Sequence, residues 1–356
     1  MTSDVPNPRT SRHPELARTL ARRGFLGVAA GATAAAVLGA SQAQAAQAGR
    51  ALDAATAGGH RPVVPPGRLG IQLYTLRDKT SSLGFARVFE ELARYGYDEV
   101  EFAGYTQGSA GPITLAQLKR LLRNNGLRGI GSHVGYYSSD PKAYTFATNL
   151  TKVLDDAEAL GLPYVGTASG PDRYGNTIDG WKRAAEDFNT YGAAARARGM
   201  YFYQHNHAEE FAFATDNPKV RLYDVLLAET DPSLVRLEMD IYWAYVAQHR
   251  FSKRPDGTPA PFEPLDYVLA DPARYPLFHV KDGEHDEAQR DGYHMVDVGD
   301  GDIDYRRFIS RVDRLPGRKY RNWLVERDDA VDPAVNPAGS LTTARRSASY
   351  LRHLRG

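Results

Sequence analysis

The chain has 356 residues, 42% hydrophobic and 24% charged, with a formal net charge of +1, a balance that suits a globular protein with a sizeable core. It contains no cysteine, so disulfides, thiolate metal sites and cysteine nucleophiles are excluded, and any metal must be held by His, Asp and Glu. The first 43 residues carry five arginines against Asp4 and Glu15, and the remainder is net −2. Nothing in that charge points to nucleic acid or an anionic membrane as partner.

The N-terminal stretch "LARRGFLGVAAGATAAAVLGASQAQA" has Arg22 and Arg23 followed by Phe25 and Leu26, with no further charge until Arg50. It resembles a twin-arginine export signal. Its apolar run is short and weakly hydrophobic for a spanning helix, and Ser41/Ala43 or Ala43/Ala45 offer small-residue cleavage pairs. The alternative is an uncleaved amphipathic anchor, which such a stretch serves poorly. The expectation is a signal over 1–43, export to the periplasm, cell envelope or medium, and no stable membrane anchor. Residues 44–66, ending "GGHRPVVPPG", are expected to be a flexible linker, and 67–356 a single domain.

From Leu69 onward, short apolar runs alternate with amphipathic segments. Strands are expected at "LGIQLYT" (69), "DEVEFAG" (98), "GIGSHVG" (129), "PYVGTAS" (163), "MYFYQHN" (200), "VRLEMDI" (235), "PLFHVKD" (276) and "NWLVERD" (322). Between them lie helical patterns such as "FARVFEELARYG", "TLAQLKRLLRNNG", "YTFATNLTKVLDDAEALG" and "WKRAAEDFNTYGAAARARG", each ending in glycine, the usual C-terminal stop. Eight β-then-α units predict a (β/α)8 TIM barrel, for which ~250 residues is typical. A doubly wound open sheet would want a Gly-rich phosphate loop after its first strand, and "IQLYTLRDK" is not one. Residues 244–263, "AYVAQHRFSKRPDGTPAPFE", are expected to form a long polar loop, either a lid or a partner surface.

A barrel gathers chemistry at the C-terminal ends of its strands, and those ends are strongly polar here. They carry Glu101, His133, the trio His205, Asn206 and His207, then Glu238 and Asp240, His279, Lys281 and Asp282, and finally Glu326, Arg327 and Asp328. Carboxylates and imidazoles converging on one mouth suit a divalent ion. One ligand from each of four consecutive strands gives His205, Asp240, His279 and Glu326. Singly, each has a blander reading as a capped or salt-bridged side chain; it is their shared placement that favours a metal.

The ordered set "HNH", "EMDIYWA", "FHVKD", "VGDGDIDY" and "VERD" resembles the sugar phosphate isomerase/epimerase group of the xylose isomerase-like barrel superfamily, over residues 69–354. The resemblance implies a divalent ion, manganese first and zinc, magnesium or cobalt as alternatives, bound by Glu, Asp, His and Glu from strands five to eight. Asp240, His279 and Glu326 match the last three positions. His205 stands where the group has glutamate, so the two-glutamate proton shuttle of its epimerases is not available, and His205 is either a ligand or only a neighbour of the ion.

The resemblance further implies proton removal beside a metal-chelated carbonyl, giving an enediolate. Glu326 is the expected base and His133 or Glu101 the acid opposite. Lys281 is expected to hold a substrate oxygen, or else to pair with Asp240 or Glu238. His207 is expected to face substrate, and Tyr74, Tyr242 and Trp243 would suit a sugar face or equally the core. Isomerisation, epimerisation and β-elimination of a 3-keto-glycoside all remain open from this carbanion. The expected partner is a small sugar or glycoside, and a homo-oligomer is left open. A non-catalytic sugar-binding barrel is the third reading. A nuclease, which would want a basic groove and more ligands, is the last.

Overall fold

The computed structural model describes residues 61–356. The expected signal and linker residues 44–60 lie outside the described residues. Residues 61–66, expected to be linker, are packed instead: Val63 and Val64 are buried, and the Val63 N–H donates to the Leu354 carbonyl at 3.2 Å. Two adjacent β-branched apolar residues bury too much surface to be left in solvent.

Eight parallel strands form the sheet: Leu69–Gln72 (β1), Glu99–Phe102 (β2), Arg128–Ser132 (β3), Tyr164–Thr167 (β4), Tyr201–His205 (β5), Val235–Asp240 (β6), Leu277–Val280 (β7) and Asn322–Val325 (β10). A hairpin of Asp282–His285 (β8) and Tyr293–Val296 (β9) intervenes before the last of them. The sheet order is β3-β2-β1-β10-β7-β6-β5-β4. Its two edges meet where His133 pairs with Gly166 and the Val134 N–H donates to the Gly166 carbonyl at 2.8 Å. The fold is a (β/α)8 barrel, with each expected strand in place.

The outer helices include Arg77–Tyr95 (α1), Leu115–Asn124 (α2), Phe146–Leu160 (α3), Ile178–Arg196 (α4), Leu222–Glu229 (α5), Ile241–Arg250 (α6), Pro264–Ala270 (α7), Tyr305–Asp313 (α8) and Ser340–His353 (α9). Threonines 114, 145 and 177 cap α2, α3 and α4, each accepting a backbone N–H. Gly96 and Gly161 close α1 and α3 in the left-handed conformation, as the sequence predicts. The expected loop at 244–263 is corrected: its first seven residues continue α6, which Asp240 caps by accepting the Trp243 N–H at 2.9 Å. None of the described helices is long and apolar enough to cross a membrane.

Strand alternation separates two cores. Outward residues pack beneath the helices, as where Phe278 and Trp323 stack with centroids 4.4 Å apart. Inward residues fill the barrel in layers. Ile130, Tyr203, Leu277 and Leu324 form the apolar floor, with Tyr164 against them. Two residues further along their strands, Leu277 gives way to His279, Leu324 to Glu326 and Tyr203 to His205. Polar side chains therefore rest on a hydrocarbon base.

Gly166 leaves no room for a side chain between β4 and β5, since a Cβ there would lie 2.2 Å from the Tyr203 carbonyl oxygen. Gly166→Ala is expected to lower the free energy of unfolding by ~1–3 kcal/mol through overpacking. Urea denaturation checks this, and a change under ~0.5 kcal/mol would mean that β4 and β5 have room to part.

Candidate metal centre and active-site cavity

The four expected ligands converge. His205, Asp240, His279 and Glu326 are all buried, and each offers a donor atom within 4.8 Å of the others. Asp240 Oδ2 lies 3.6 Å from His205 Nε2 and 3.9 Å from His279 Nδ1. Glu326 Oε2 lies 2.7 Å from His279 Nδ1. Register accounts for this: His279 of β7 pairs with Asp240 of β6 and Leu324 of β10, so Glu326 stands one step higher.

Each imidazole points its other nitrogen downward. His279 Nε2 meets Glu101 Oε2 at 2.7 Å, and His205 Nδ1 meets Glu238 Oε2 at 3.2 Å. Carboxylates behind metal-binding imidazoles fix ring orientation and tautomer. Glu101 itself is held by Gln72 Nε2 at 2.8 Å and by the Tyr203 hydroxyl. Gly131 makes room for it, because a Cβ there would meet Glu101 Oε1 at 2.9 Å. Glu101, expected as an acid facing substrate, thus lies beneath His279 and does not line the cavity. His133 does line it, 2.8 Å from Glu238 Oε2 and stacked over His279 with ring centroids 5.3 Å apart. Donors of His133, His205, Glu238 and His279 also come within 4.8 Å of one another, but they share both rings with the upper set and serve to hold it.

Lys281 pairs with Asp240 Oδ2 at 2.9 Å, with Glu326 Oε2 at 2.8 Å and with Asp328 Oδ1 at 2.9 Å. The expected pairing with Asp240 is present, and Glu238 is not among its partners. Arg327 turns away to Asp297 and Asp329. Above the cluster opens a cavity of about 530 Å³ whose wall includes Tyr74, His133, His207, Trp243, Lys281 and Asp328. Trp243 donates its indole N–H to Asp328 at 3.1 Å, and His207 packs edge-on against both His205 and Trp243. Tyr74 is half exposed, its ring backed by the Arg77 guanidinium 3.9 Å from the centroid. Tyr242 is buried in the core.

These contacts sort the charges. Burial and the neighbouring His279 push His205 well below the usual imidazole range, so it is neutral. Burial works against protonation of His279, yet Glu238 and Glu326 hold it well above that range. Burial would raise Glu326, but Lys281 and His279 keep its carboxyl well below the ordinary value. Burial lifts Asp240 to about 6 against the pull of Lys281. Burial and Lys281 bring His207 down to about 4, leaving a neutral imidazole on the cavity wall.

A divalent ion fits this donor set. Asp240 Oδ2 is buried and accepts no hydrogen bond, its contact with Lys281 being an ion pair without hydrogen-bond geometry. Metal–donor distances of about 2.0–2.2 Å put tetrahedral ligands roughly 3.4 Å apart, and the contacts above bracket that spacing. Two imidazoles and two carboxylates suit zinc or manganese.

Compared with known families, residues 89–352 match the xylose isomerase-like TIM barrel. The chain belongs to that family. A solved sugar phosphate isomerase/epimerase from Parabacteroides distasonis superposes with a TM-score of 0.60 at 23% identity, covering 80% of this chain and 97% of its own. A second from the same organism gives 0.60 at 21%, covering 81% and 95%. The IOLI protein, solved with a zinc atom, gives 0.56 at 15%, covering 80% and 96%. At such identities the likeness is one of fold. A comparison with curated proteins finds no match.

Within this family barrel, spacing by two would have singled out Asp328, two residues past Glu326, and Glu238, two before Asp240. Glu209 and Glu210, neighbours in a short turn, separate: Glu209 pairs with Arg250 at the surface, while Glu210 is buried and accepts the His207 N–H at 2.8 Å. Burial raises Glu210 to about 8 from an ordinary 4.5, outweighing its backbone hydrogen bonds. The folded chain then binds more protons than the unfolded one between those values, so this group's contribution to stability falls as pH rises across that window. Glu210→Gln is expected to shrink the drop in melting temperature between about pH 5 and pH 8. An unchanged drop would place the titration elsewhere.

Proposed function

We propose that this chain is an exported, divalent-metal-dependent enzyme of the sugar isomerase/epimerase type, acting on a neutral keto-sugar or sugar derivative by proton removal beside a carbonyl. The observation that carries this reading is the buried Asp240 Oδ2, which accepts no hydrogen bond and meets the Lys281 ammonium as an ion pair, among His205, His279 and Glu326 at the foot of an aromatic-walled cavity. Manganese is the first choice of metal, with zinc, magnesium or cobalt as alternatives; the IOLI protein carries zinc. Export rests on Arg22, Arg23 and the weakly apolar run behind them.

A bound divalent ion would supply Lewis acidity to a chelated carbonyl and hydroxyl. The remaining roles fall to the chain. Glu326, ionised and at the cavity floor, takes the proton. His207 and His133 stand on the wall as proton carriers. Asp328 and Trp243 position hydroxyls and a sugar face. Among the described residues of that wall a phosphate finds no free ammonium or guanidinium, since Lys281 is already surrounded by three carboxylates.

One observation favours a second reading. With His205 where the group has glutamate, Glu326 is the one glutamate among the four donors, whereas epimerisation by two glutamate bases needs another on the opposite face. β-Elimination of a 3-keto-glycoside needs one base: Glu326 would take the proton beside the carbonyl, the bond to the leaving oxygen would break, and neutral His207 would relay a proton to that oxygen.

Elemental analysis of the purified protein is expected to give one equivalent of metal, lost in Asp240→Ala and in His205→Ala. No metal, and no thermal stabilisation by any divalent ion, would overturn the proposal. Incubation with keto-sugars and 3-keto-glycosides in D2O, followed by NMR, is expected to show exchange or loss of the proton beside the carbonyl. Glu326→Gln should slow it ~10²–10⁴-fold, and an unaffected rate would remove Glu326 as the base.

A further inference from the structure

The ammonium of Lys281 and a divalent ion would need the same two oxygen atoms. Lys281 Nζ lies 2.9 Å from Asp240 Oδ2 and 2.8 Å from Glu326 Oε2, and these are the oxygens that face His205 Nε2 and His279 Nδ1. An ion about 2.0–2.2 Å from both oxygens would sit within a few ångströms of the ammonium. Two cations that close, in a site sheltered from solvent, repel strongly.

A second seat for the ammonium is already built. Lys281 donates to Asp328 Oδ1 and Oδ2 at 2.9 and 3.0 Å. Asp328 is fixed by the Trp243 indole N–H at 3.1 Å, and its carbonyl accepts from Arg77 at 2.9 Å. Trp243 also offers its ring face, with Lys281 Nζ 5.8 Å from the centroid. The backbone at Lys281 cannot follow an incoming ion. Its carbonyl accepts the Tyr305 hydroxyl, and the adjacent Asp282 carboxylate ties down the N–H groups of Gly283, Gly299, Gly301 and Ile303. Only the side chain is free to swing.

We propose that Lys281 is an internal cation of the metal centre, which neutralises Asp240 and Glu326 until a divalent ion binds and is then transferred onto Asp328. The transfer rests on the metal reading given above. It turns Lys281 and Asp328, which both line the cavity, into a matched pair at the substrate's edge. Metal loading and readiness for substrate thereby become one event.

A double-mutant cycle tests this. Manganese and zinc affinities are measured by titration calorimetry on the wild type, Lys281→Met, Asp328→Asn and the double variant. Any direct attraction between Asp328 and the ion is the same with or without Lys281, and cancels. If the ammonium moves onto Asp328, Asp328→Asn weakens binding at least ~5-fold more when Lys281 is present than in the Lys281→Met background, a coupling typical of interacting charges. Equal factors in the two backgrounds, within about twofold, overturn the transfer and leave the metal centre intact. Absence of binding in all four proteins overturns both readings.

Should Lys281→Met fail to fold, a crystal of the wild type soaked in manganese gives the answer directly. The expected result is Lys281 Nζ beyond about 3.5 Å from Asp240 Oδ2 and Glu326 Oε2 yet still bonded to Asp328. An ammonium still touching both oxygens beside the ion overturns the proposal.

Discussion

The mouth of this barrel depends on mutual neutralisation of charges withdrawn from water. Glu101, Glu238, Asp240, Glu326, Lys281 and two imidazoles are almost wholly buried, and a lone buried charge costs several kcal/mol. The chain meets this by interleaving signs. Glu101 is set among Gln72, Tyr203 and His279; Glu238 touches His133, His205 and His279; and Lys281 is ringed by Asp240, Glu326 and Asp328. Nearly every partnership joins different strands. The network is satisfied only when the barrel has closed in register, so the groups gathered at the candidate metal centre also specify the fold.

The two imidazoles of the cluster show how environment differentiates identical groups. His205 has one carboxylate below it, Glu238, and the charge of His279 beside it, and is neutral. With Nδ1–H donated to Glu238, its Nε2 presents a lone pair toward Asp240, the form in which histidine ligates a metal. His279 lies between Glu101 and Glu326, one at each nitrogen, and is held in its charged form. Asp240 divides its labour by oxygen: Oδ1 caps α6, and Oδ2 faces the imidazoles. A helix N-terminus thus braces a carboxylate that must not move.

Much of this was legible in the sequence, for reasons that also mark the limits. Buried parallel strands are short runs of apolar residues that end abruptly in polar ones, and each of the eight expected strands was found where such a run lies. The convergence of His205, Asp240, His279 and Glu326 is legible because inward residues at the strand ends face the same mouth. The β8–β9 hairpin did not show, since "DGEH" and "YHMV" have neither an apolar run nor clean alternation. Helix α6 runs into the expected loop because the polar tail of "IYWAYVAQHR" carries no apolar periodicity. Glu101 was placed on the correct face but at the wrong height. Spacing by two gives the side of a strand, whereas depth in a barrel is set by the stagger between strands, which a single chain does not display. At β2 and β3 that stagger includes a register shift between Val100 and Glu101.

The same interleaving decides what the cavity can accept. Among the described residues that line it, the one ammonium, Lys281, is spent on Asp240, Glu326 and Asp328, so the chain's own side chains offer an anionic substrate no unpaired ammonium or guanidinium. A neutral polyol brings its own donors and acceptors and needs chiefly a flat apolar wall, which Trp243 and the Arg77-backed Tyr74 ring provide. The fold is shared with solved sugar phosphate isomerases/epimerases, while the described lining of this mouth pairs its ammonium with the chain's own carboxylates.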